Sequence, residues 1–254
     1  ALPCEPHVRP ELQLLRRPPP RLGRRQRRWR WVGGWRHGGW LAAHGLEAGR
    51  FICVIPRLRY TPYYRVDGRA RTPEDDVRDA INNRTTEKDH AKLRDAIVRY
   101  VRNTGNKVMT CAEMTYQVEM AKQVLVDPLP DDVKPKVVWR DAYWLPDEAA
   151  SIYSKAEAVL SVECHSPLIA LTNGVPAMYV RQPTDTCKGQ MYRDFGAGDW
   201  LMEVDGVDGA GIWSRLESIH RRPSQAKARA ASIQRDVASR QKRMAEVVIQ
   251  ATRA

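Results

Sequence analysis

One stretch decides the fold class of this chain: residues 158–180 read AVLSVECHSPLIALTNGVPAMYV. AVLSV and PAMYV predict buried strands, and PLIALTNG between them predicts a helix closed by Gly174. Strand, helix and strand in succession, with the strands apolar throughout, are typical of a parallel sheet covered on both faces. The apolar pattern breaks at Glu163, Cys164 and His165, where a simple turn would use Gly, Asn or Ser.

The same alternation continues on both sides of this stretch. Further strands are predicted at 51–56, 107–113, 136–140 and 200–205. Helices are predicted at 86–103 (ending before Gly105), 115–125, 145–156, 187–196, 208–221 and 223–252. The sequence therefore predicts an α/β fold with a doubly wound parallel sheet, Rossmann-like, of about 200 residues.

Residues 1–40 differ in character from the rest of the chain. They hold ten Arg, no Lys and two acids, so they carry +8 of the net charge of +12. They also hold six Pro and four of the eight Trp without a regular period, and such a stretch is not expected to fold alone. Three interpretations remain: GC-rich DNA translated in the wrong frame, a solvated tail, or an arm whose Arg contact phosphates while Trp stacks on bases. We therefore divide the chain into a disordered basic segment, 1–40, and a Rossmann-like domain, 41–254.

Composition narrows the class of protein further. The domain carries only +4, so we expect no nucleic acid as its partner. No apolar run reaches the roughly 18 residues that a membrane span needs, and the N-terminus lacks a signal-peptide pattern. The five cysteines are odd in number and form no C-x-x-C pair, which predicts free thiols in a reducing compartment. We expect a cytoplasmic location, no metal site and no cofactor.

The break at 163–165 lies where an α/β sheet binds ligands. In open parallel sheets this is the crevice outside the carboxyl ends of the strands. Ser166 and Pro167 are predicted to be the N-cap and first residue of the next helix, whose backbone N–H groups suit an anion. His165 is the group there that titrates near neutrality.

Cationic side chains follow other strands toward the same crevice. They are Arg57, Arg59, Arg181, Lys188 and Arg193. Together they predict a site for a small, doubly anionic ligand. An alternative is open for each residue: the arginines pair with acids such as Asp185, Asp194 or Glu163, His165 is a structural hydrogen-bonding residue, and Cys164 is packed in the core.

From Phe51 to Val247 the chain resembles the C-terminal half of polysaccharide pyruvyl transferases, whose fold is similar to that of GT-B glycosyltransferases. The resemblance is carried by ICVIPRLRY (52–60), YWLPDEAASIYSKAEAVLS (143–161), SVECHSPLIALTNGVPAMYVRQPTDTCKGQMYRD (161–194) and the closing helix. It implies transfer of a pyruvyl group from phosphoenolpyruvate to two hydroxyls of a sugar or lipid-linked saccharide. The product is a cyclic ketal of cell-surface polysaccharide, and phosphate is released.

The resemblance also implies roles for single residues. His165 matches the family's His at the strand end and is expected to protonate the methylene of the donor. Either Arg57 or Arg59 matches a donor-binding Arg. The family pattern S-x-R-L-H reads Ser161-Val162-Glu163-Cys164-His165 here, so Glu163 stands where a donor-binding Arg is expected.

The sequence departs from the family in two ways, at Glu163 and in its number of domains. Glu163 is expected to repel phosphoenolpyruvate unless Arg181, Lys188 or Arg193 takes over the missing positive charge, which leaves a nucleotide-sugar glycosyltransferase as an alternative. GT-B-like enzymes use two Rossmann-like domains, whereas one is predicted here. We therefore expect either a partner that supplies the other half or a gene model that is truncated or frameshifted. A non-catalytic binding module, tethered through residues 1–40, is the third alternative.

Overall fold

The computed structural model describes residues 36–252, and this part of the chain forms one parallel sheet with helices around it. The strands are β1 (Phe51–Ile55), β2 (Lys107–Thr110), β3 (Val137–Trp139), β4 (Ala158–Ser161), β5 (Ala177–Arg181) and β6 (Leu201–Glu203). The helices are α1 (Arg36–Ala43), α2 (Tyr63–Val66), α3 (Pro73–Thr104), α4 (Gln117–Ala121), α5 (Pro146–Tyr153), α6 (His165–Thr172), α7 (Lys188–Asp194), α8 (Gly209–Arg221) and α9 (Pro223–Ala251).

The strand order is β3-β2-β1-β4-β5-β6, and every neighbouring pair is parallel. This confirms the predicted doubly wound, Rossmann-like sheet. The chain builds outward from β1 in one direction and from β4 in the other, so the order reverses between these two strands. Ligands of such sheets bind at this switch point, outside the carboxyl ends of the strands.

Burial explains why the central strands are apolar throughout. All residues of β1 and of β4 are buried, since helices cover the sheet. Among the helices, α3 packs against α8, α5 against α6, and α9 against α6 and α8. The contact of α8 with α3 is close at Gly209, where an added Cβ would lie 2.5 Å from the Cβ of Asp95.

Helix α3 is longer than predicted: it begins at Pro73 instead of residue 86. Its start is fixed by a capping box, in which the Thr72 hydroxyl accepts from the backbone N–H of Asp75 and the Asp75 carboxylate accepts from that of Thr72. Residues 73–85 carry few apolar side chains, so the hydrophobic period misses them. The predicted end is confirmed, since Gly105 is the C-cap, with a φ of 69°.

The prediction for residues 1–40 falls mostly outside the described residues. Its last five residues, 36–40, lie in α1, where the Trp40 ring stacks on His44. Within residues 36–252, no helix combines the length and apolarity needed to cross a bilayer. The four cysteines of this part of the chain are free thiols, as predicted for them.

Candidate functional site

Polar side chains from four strands meet beside the switch point. Arg57 follows β1, Glu113 follows β2, Glu163 and His165 follow β4, and Asp185 follows β5. Ligand-type atoms of Glu113, Glu163 and His165 all lie within 4.8 Å of one another. The Arg57 guanidinium contacts both Glu163 and Asp185. These five residues are called the strand-end cluster below.

Glu113 joins the loop after β2 to the start of α6. One of its oxygens, Oε1, lies 2.5 Å from Nδ1 of His165. The other, Oε2, accepts hydrogen bonds of 2.8 Å from both the backbone N–H and the hydroxyl of Ser166. Tyr153 donates to the same hydroxyl from α5, at 3.1 Å. The first turn of α6 is therefore held by a carboxylate from another part of the chain.

The prediction that Ser166 caps α6 is wrong. The helix begins at His165, Cys164 is its N-cap residue, and no side chain of the cap position bonds the first turn. Instead, the Glu113 carboxylate accepts a hydrogen bond from the backbone N–H of Ser166 in the first turn. Pro167 is the third helical residue, still in the first turn, where a missing N–H is tolerated. Because Glu113 occupies the Ser166 N–H and Pro167 has none, the start of α6 is poorer in free anion-binding donors than expected.

His165 is an exposed imidazole beside a carboxylate. Its side chain is 64% exposed, and Glu113 occupies Nδ1, which leaves Nε2 for a ligand. The hydrogen bond to Glu113 raises the pKa of His165 above its ordinary value, with burial opposing the rise. The charged imidazolium therefore persists to higher pH than in a free histidine.

Arg57 lies between two buried carboxylates. Its side chain is 12% exposed, whereas those of Asp185 and Glu163 are 0% and 5% exposed. Gln117 donates to Glu163 Oε1 at 2.6 Å, and the Tyr179 hydroxyl donates to Asp185 at 2.6 Å. Arg57 therefore pairs with Asp185 and Glu163, which is the alternative that the sequence left open for this residue.

Glu163 titrates near neutrality. Burial, followed by the charge of Glu113, raises the pKa of Glu163 to about 7, while Arg57 and Gln117 act in the opposite direction. Glu163 is therefore not a fixed negative charge. Below about pH 7 it is mostly a neutral carboxylic acid, which donates as well as accepts hydrogen bonds.

Arg59 makes its contacts outside the strand-end cluster. Its guanidinium binds both oxygens of the Asp89 carboxylate, at 2.7 and 2.9 Å, and one oxygen of Asp205 at 2.6 Å. These partners belong to α3 and to the segment after β6. Of the two arginines matched to the family's donor-binding Arg, Arg57 is the one that lies in the cluster.

The other predicted cations differ in their freedom to meet a ligand. Arg181 and Arg193 both pair with Glu203, at 2.8 and 3.7 Å. Lys188, at the start of α7, forms no ion pair with any residue in the described part of the chain. Its charge reaches His165, where it opposes the rise in that residue's pKa. Lys188 is therefore the predicted donor-binding cation that remains available beside the cluster.

Cys164 is packed in the core, as the alternative for this residue has it. The side chain is buried, and burial raises the pKa of its thiol to about 11. It therefore stays neutral and offers the site no thiolate.

Glu113 and Gln117 are not among the site residues that the sequence predicts. The predicted second strand ran to residue 113, but β2 ends at Thr110, so Glu113 stands in the loop beyond the strand end. A polar residue directly after a strand indicates a candidate site residue. Because the predicted second strand includes Glu113, this residue does not stand out in the sequence. Nothing local in the sequence indicates that Gln117 reaches Glu163, because that contact depends on how α4 lies over the sheet.

No protein-family model matches this chain, and no curated protein matches it. Several solved structures are similar in fold. The glycotransferase of kitacinnamycin is 10% identical, with 78% of this chain and 42% of that one covered at a TM-score of 0.46. MnaA of S. aureus with UDP is 10% identical, with 76% and 41% covered at 0.47. The glycosyltransferase VinC with dTDP is 16% identical, with 80% and 42% covered at 0.47. This chain spans less than half the length of these structures, and the similarity bears on neither substrate nor reaction.

Proposed function

We propose that this chain is the donor-binding half of a transferase that takes a nucleotide sugar. The observation that carries the proposal is the charge of the strand-end cluster. The cluster holds three carboxylates, those of Glu113, Glu163 and Asp185, but a single guanidinium, that of Arg57, which contacts Glu163 and Asp185. Carboxylates accept strong hydrogen bonds from hydroxyl groups but repel phosphates and other carboxylates. A ligand rich in hydroxyls, such as the ribose and sugar of a nucleotide sugar, suits this arrangement.

The phosphates of such a donor need cations near the cluster. Lys188 has no ion pair among the described residues, and His165 keeps Nε2 open beside its contact with Glu113, whereas the guanidinium groups of Arg59, Arg181 and Arg193 are paired with acids. These two cationic groups suit the diphosphate of a nucleotide sugar. The hydroxyls of its ribose and sugar would make the remaining contacts, with the carboxylates. Phosphoenolpyruvate has no hydroxyl to give the carboxylates, so both of its anionic groups would compete for the same two cations.

Pyruvyl transfer from phosphoenolpyruvate is the second candidate, and it rests on His165. The hydrogen bond to Glu113 raises the pKa of this imidazole, so its protonated form persists to higher pH than in a free histidine, and its exposed position lets it meet a ligand. A proton from His165 to the donor's methylene carbon would assist attack of a sugar hydroxyl at the enol carbon. In either reaction we place the acceptor, a sugar or a lipid-linked saccharide, on the open side of the cluster.

Calorimetric titration of the full chain separates the two candidates. UDP-glucose, dTDP-glucose and phosphoenolpyruvate are each titrated in EDTA into the wild type, Glu163→Gln and His165→Ala. We expect saturable binding of a nucleotide sugar, weakened about tenfold in Glu163→Gln by loss of a charge-assisted hydrogen bond. His220→Ala is the matched control. His220, on α8, is also paired with a carboxylate, but that carboxylate belongs to Glu157, which directly precedes β4 at the opposite end of the strand from the cluster.

Phosphoenolpyruvate binding that disappears in His165→Ala, without nucleotide-sugar binding, would replace the first candidate by the second. A folded protein that binds none of the three ligands would contradict both.

A further inference from the structure

We propose that Glu113, Glu163 and His165 bind a divalent transition-metal ion of the Zn²⁺ type. The proposal goes beyond the donor and does not depend on which donor binds. The three side chains each offer a ligand atom, and these atoms lie within 4.8 Å of one another. Ligands of one Zn²⁺ stand about 2.0 to 2.2 Å from the ion, so they are roughly 3 to 3.5 Å apart. Binding therefore requires the three side chains to rotate toward the ion.

Each carboxylate has one oxygen anchored by the protein. Gln117 donates to Oε1 of Glu163, and Ser166 donates twice to Oε2 of Glu113. The second oxygen of Glu163 accepts no hydrogen bond from any described residue, and that of Glu113 contacts only the His165 imidazole. Metal-binding carboxylates are commonly oriented in this way, with one oxygen held by a neighbouring donor and the other directed to the ion.

The exposure of the three side chains gives a metal ion a route to the carboxylates. Glu163 is buried and Glu113 nearly so, while His165 stands exposed at the mouth of the cluster. An ion enters past the imidazole, which moves from the Glu113 oxygen to the metal. Arg57 contacts Oε1 of Glu163, the same oxygen to which Gln117 donates, so the second oxygen is left for the ion.

The ligand types select the ion. One imidazole and two carboxylates are a mixed nitrogen and oxygen set, which suits Zn²⁺ and its neighbours, whereas Ca²⁺ takes six to eight oxygens. Three protein ligands leave at least one position open for water or for an oxygen of a bound phosphate. The same ion would then supply positive charge where the cluster has an excess of carboxylates.

The test uses the full chain, freed of metal with EDTA and then dialysed, without any donor. Zn²⁺ is titrated by calorimetry, and Co²⁺ is followed by its visible absorption spectrum. We expect one saturable site in the wild type that weakens by at least tenfold in Glu113→Gln and in His165→Ala. His220→Ala removes an imidazole that is paired with a single carboxylate, and it should bind like the wild type. Circular dichroism checks that each variant is folded.

Equal Zn²⁺ affinity in the wild type and His165→Ala would overturn the proposal, as would the absence of saturable binding. Equal affinity in Glu113→Gln would do the same. Because the donor titrations are made in EDTA and the metal titrations without donor, failure of either proposal shows by itself.

Discussion

The buried ion pair between Arg57 and Asp185 permits a sharp test of how the strand-end cluster is held together. Replacing Arg57 by Met keeps most of the aliphatic stem but removes the guanidinium. Asp185, whose side chain is 0% exposed, then keeps its hydrogen bonds from Tyr179 and from the backbone N–H of Gln182, at 2.6 and 2.9 Å. It loses its only ion-pair partner among the described residues.

The size of the effect follows from the burial of Asp185. Removing one partner of a buried ion pair typically costs about 3 to 5 kcal/mol, because a charge is left uncompensated. Two remaining donors moderate this cost, so we expect Arg57→Met to lower the free energy of unfolding by about 3 kcal/mol at pH 7. In Arg57→Met/Asp185→Asn the Asp185 charge is removed with its partner, and the amide oxygen still accepts from Tyr179. Glu163 also loses its contact with Arg57, but its raised pKa lets it take up a proton. The double variant is therefore expected to lose less than Arg57→Met alone.

Urea unfolding at pH 7, followed by tryptophan fluorescence and circular dichroism, measures these differences. The matched control is Arg99→Met, which breaks an Arg–Asp pair on the surface of α3, where the side chains of Arg99 and Asp95 are 45% and 43% exposed. This control should cost less than about 1 kcal/mol. The reasoning is refuted if Arg57→Met costs no more than Arg99→Met, or if adding Asp185→Asn to Arg57→Met deepens the loss.

Three further predictions concern pH and packing. Burial raises the pKa of Glu163 from 4.5 to about 7, so its contribution to stability is complete below about pH 4.5 and is lost as the pH rises through about 7. Glu163→Gln should therefore flatten the pH dependence of urea unfolding between these values by up to about 1.4 kcal/mol per pH unit. Parallel profiles for variant and wild type would contradict this. Glu113→Gln should lower the pKa of His165 in an NMR titration of the imidazole, and an unchanged pKa would mean that Glu113 does not control it. Gly209→Ala should lower the free energy of unfolding in urea by about 1 to 3 kcal/mol, because the added methyl group meets a side chain of α3. Gly198→Ala, with open space around it, should lower it hardly at all, and similar losses in the two variants would count against close packing at Gly209.

The sequence predicts the sheet well because the signal for its strands is local. FICVI, KVMT, VVW, AVLS, AMYVR and LME are short and largely apolar, and the helices between them leave parallel pairing as the simplest arrangement. The start of α3 is missed because Thr72, Pro73 and Asp75 fix it by capping, ahead of the apolar period. Capping signals of this kind are readable in a sequence, but the hydrophobic period does not report them.

The candidate site is predicted only in part, since its contacts join distant parts of the chain. The strand-end rule finds Arg57, Glu163 and His165, because each follows a strand directly. It does not say that Glu113 takes over the capping of α6, or that Arg57 and not Arg59 lies against Glu163. Those choices depend on where the loops after β1 and β2 lie above the sheet, which no local pattern fixes.

Glu163 shows how much depends on such contacts. Read from the sequence, a carboxylate at this position is a permanent negative charge that repels an anionic donor. In the folded chain it is buried beside Arg57 and close to Glu113, and the resulting pKa of about 7 makes its charge depend on pH. A phosphate-bearing ligand therefore meets a less negative cluster below about pH 7 than above it, while sugar hydroxyls find a hydrogen-bonding partner in both forms. If the proposed donor site is correct, Glu163 at this position favours ligands that offer hydroxyl groups over ligands that offer only anionic groups.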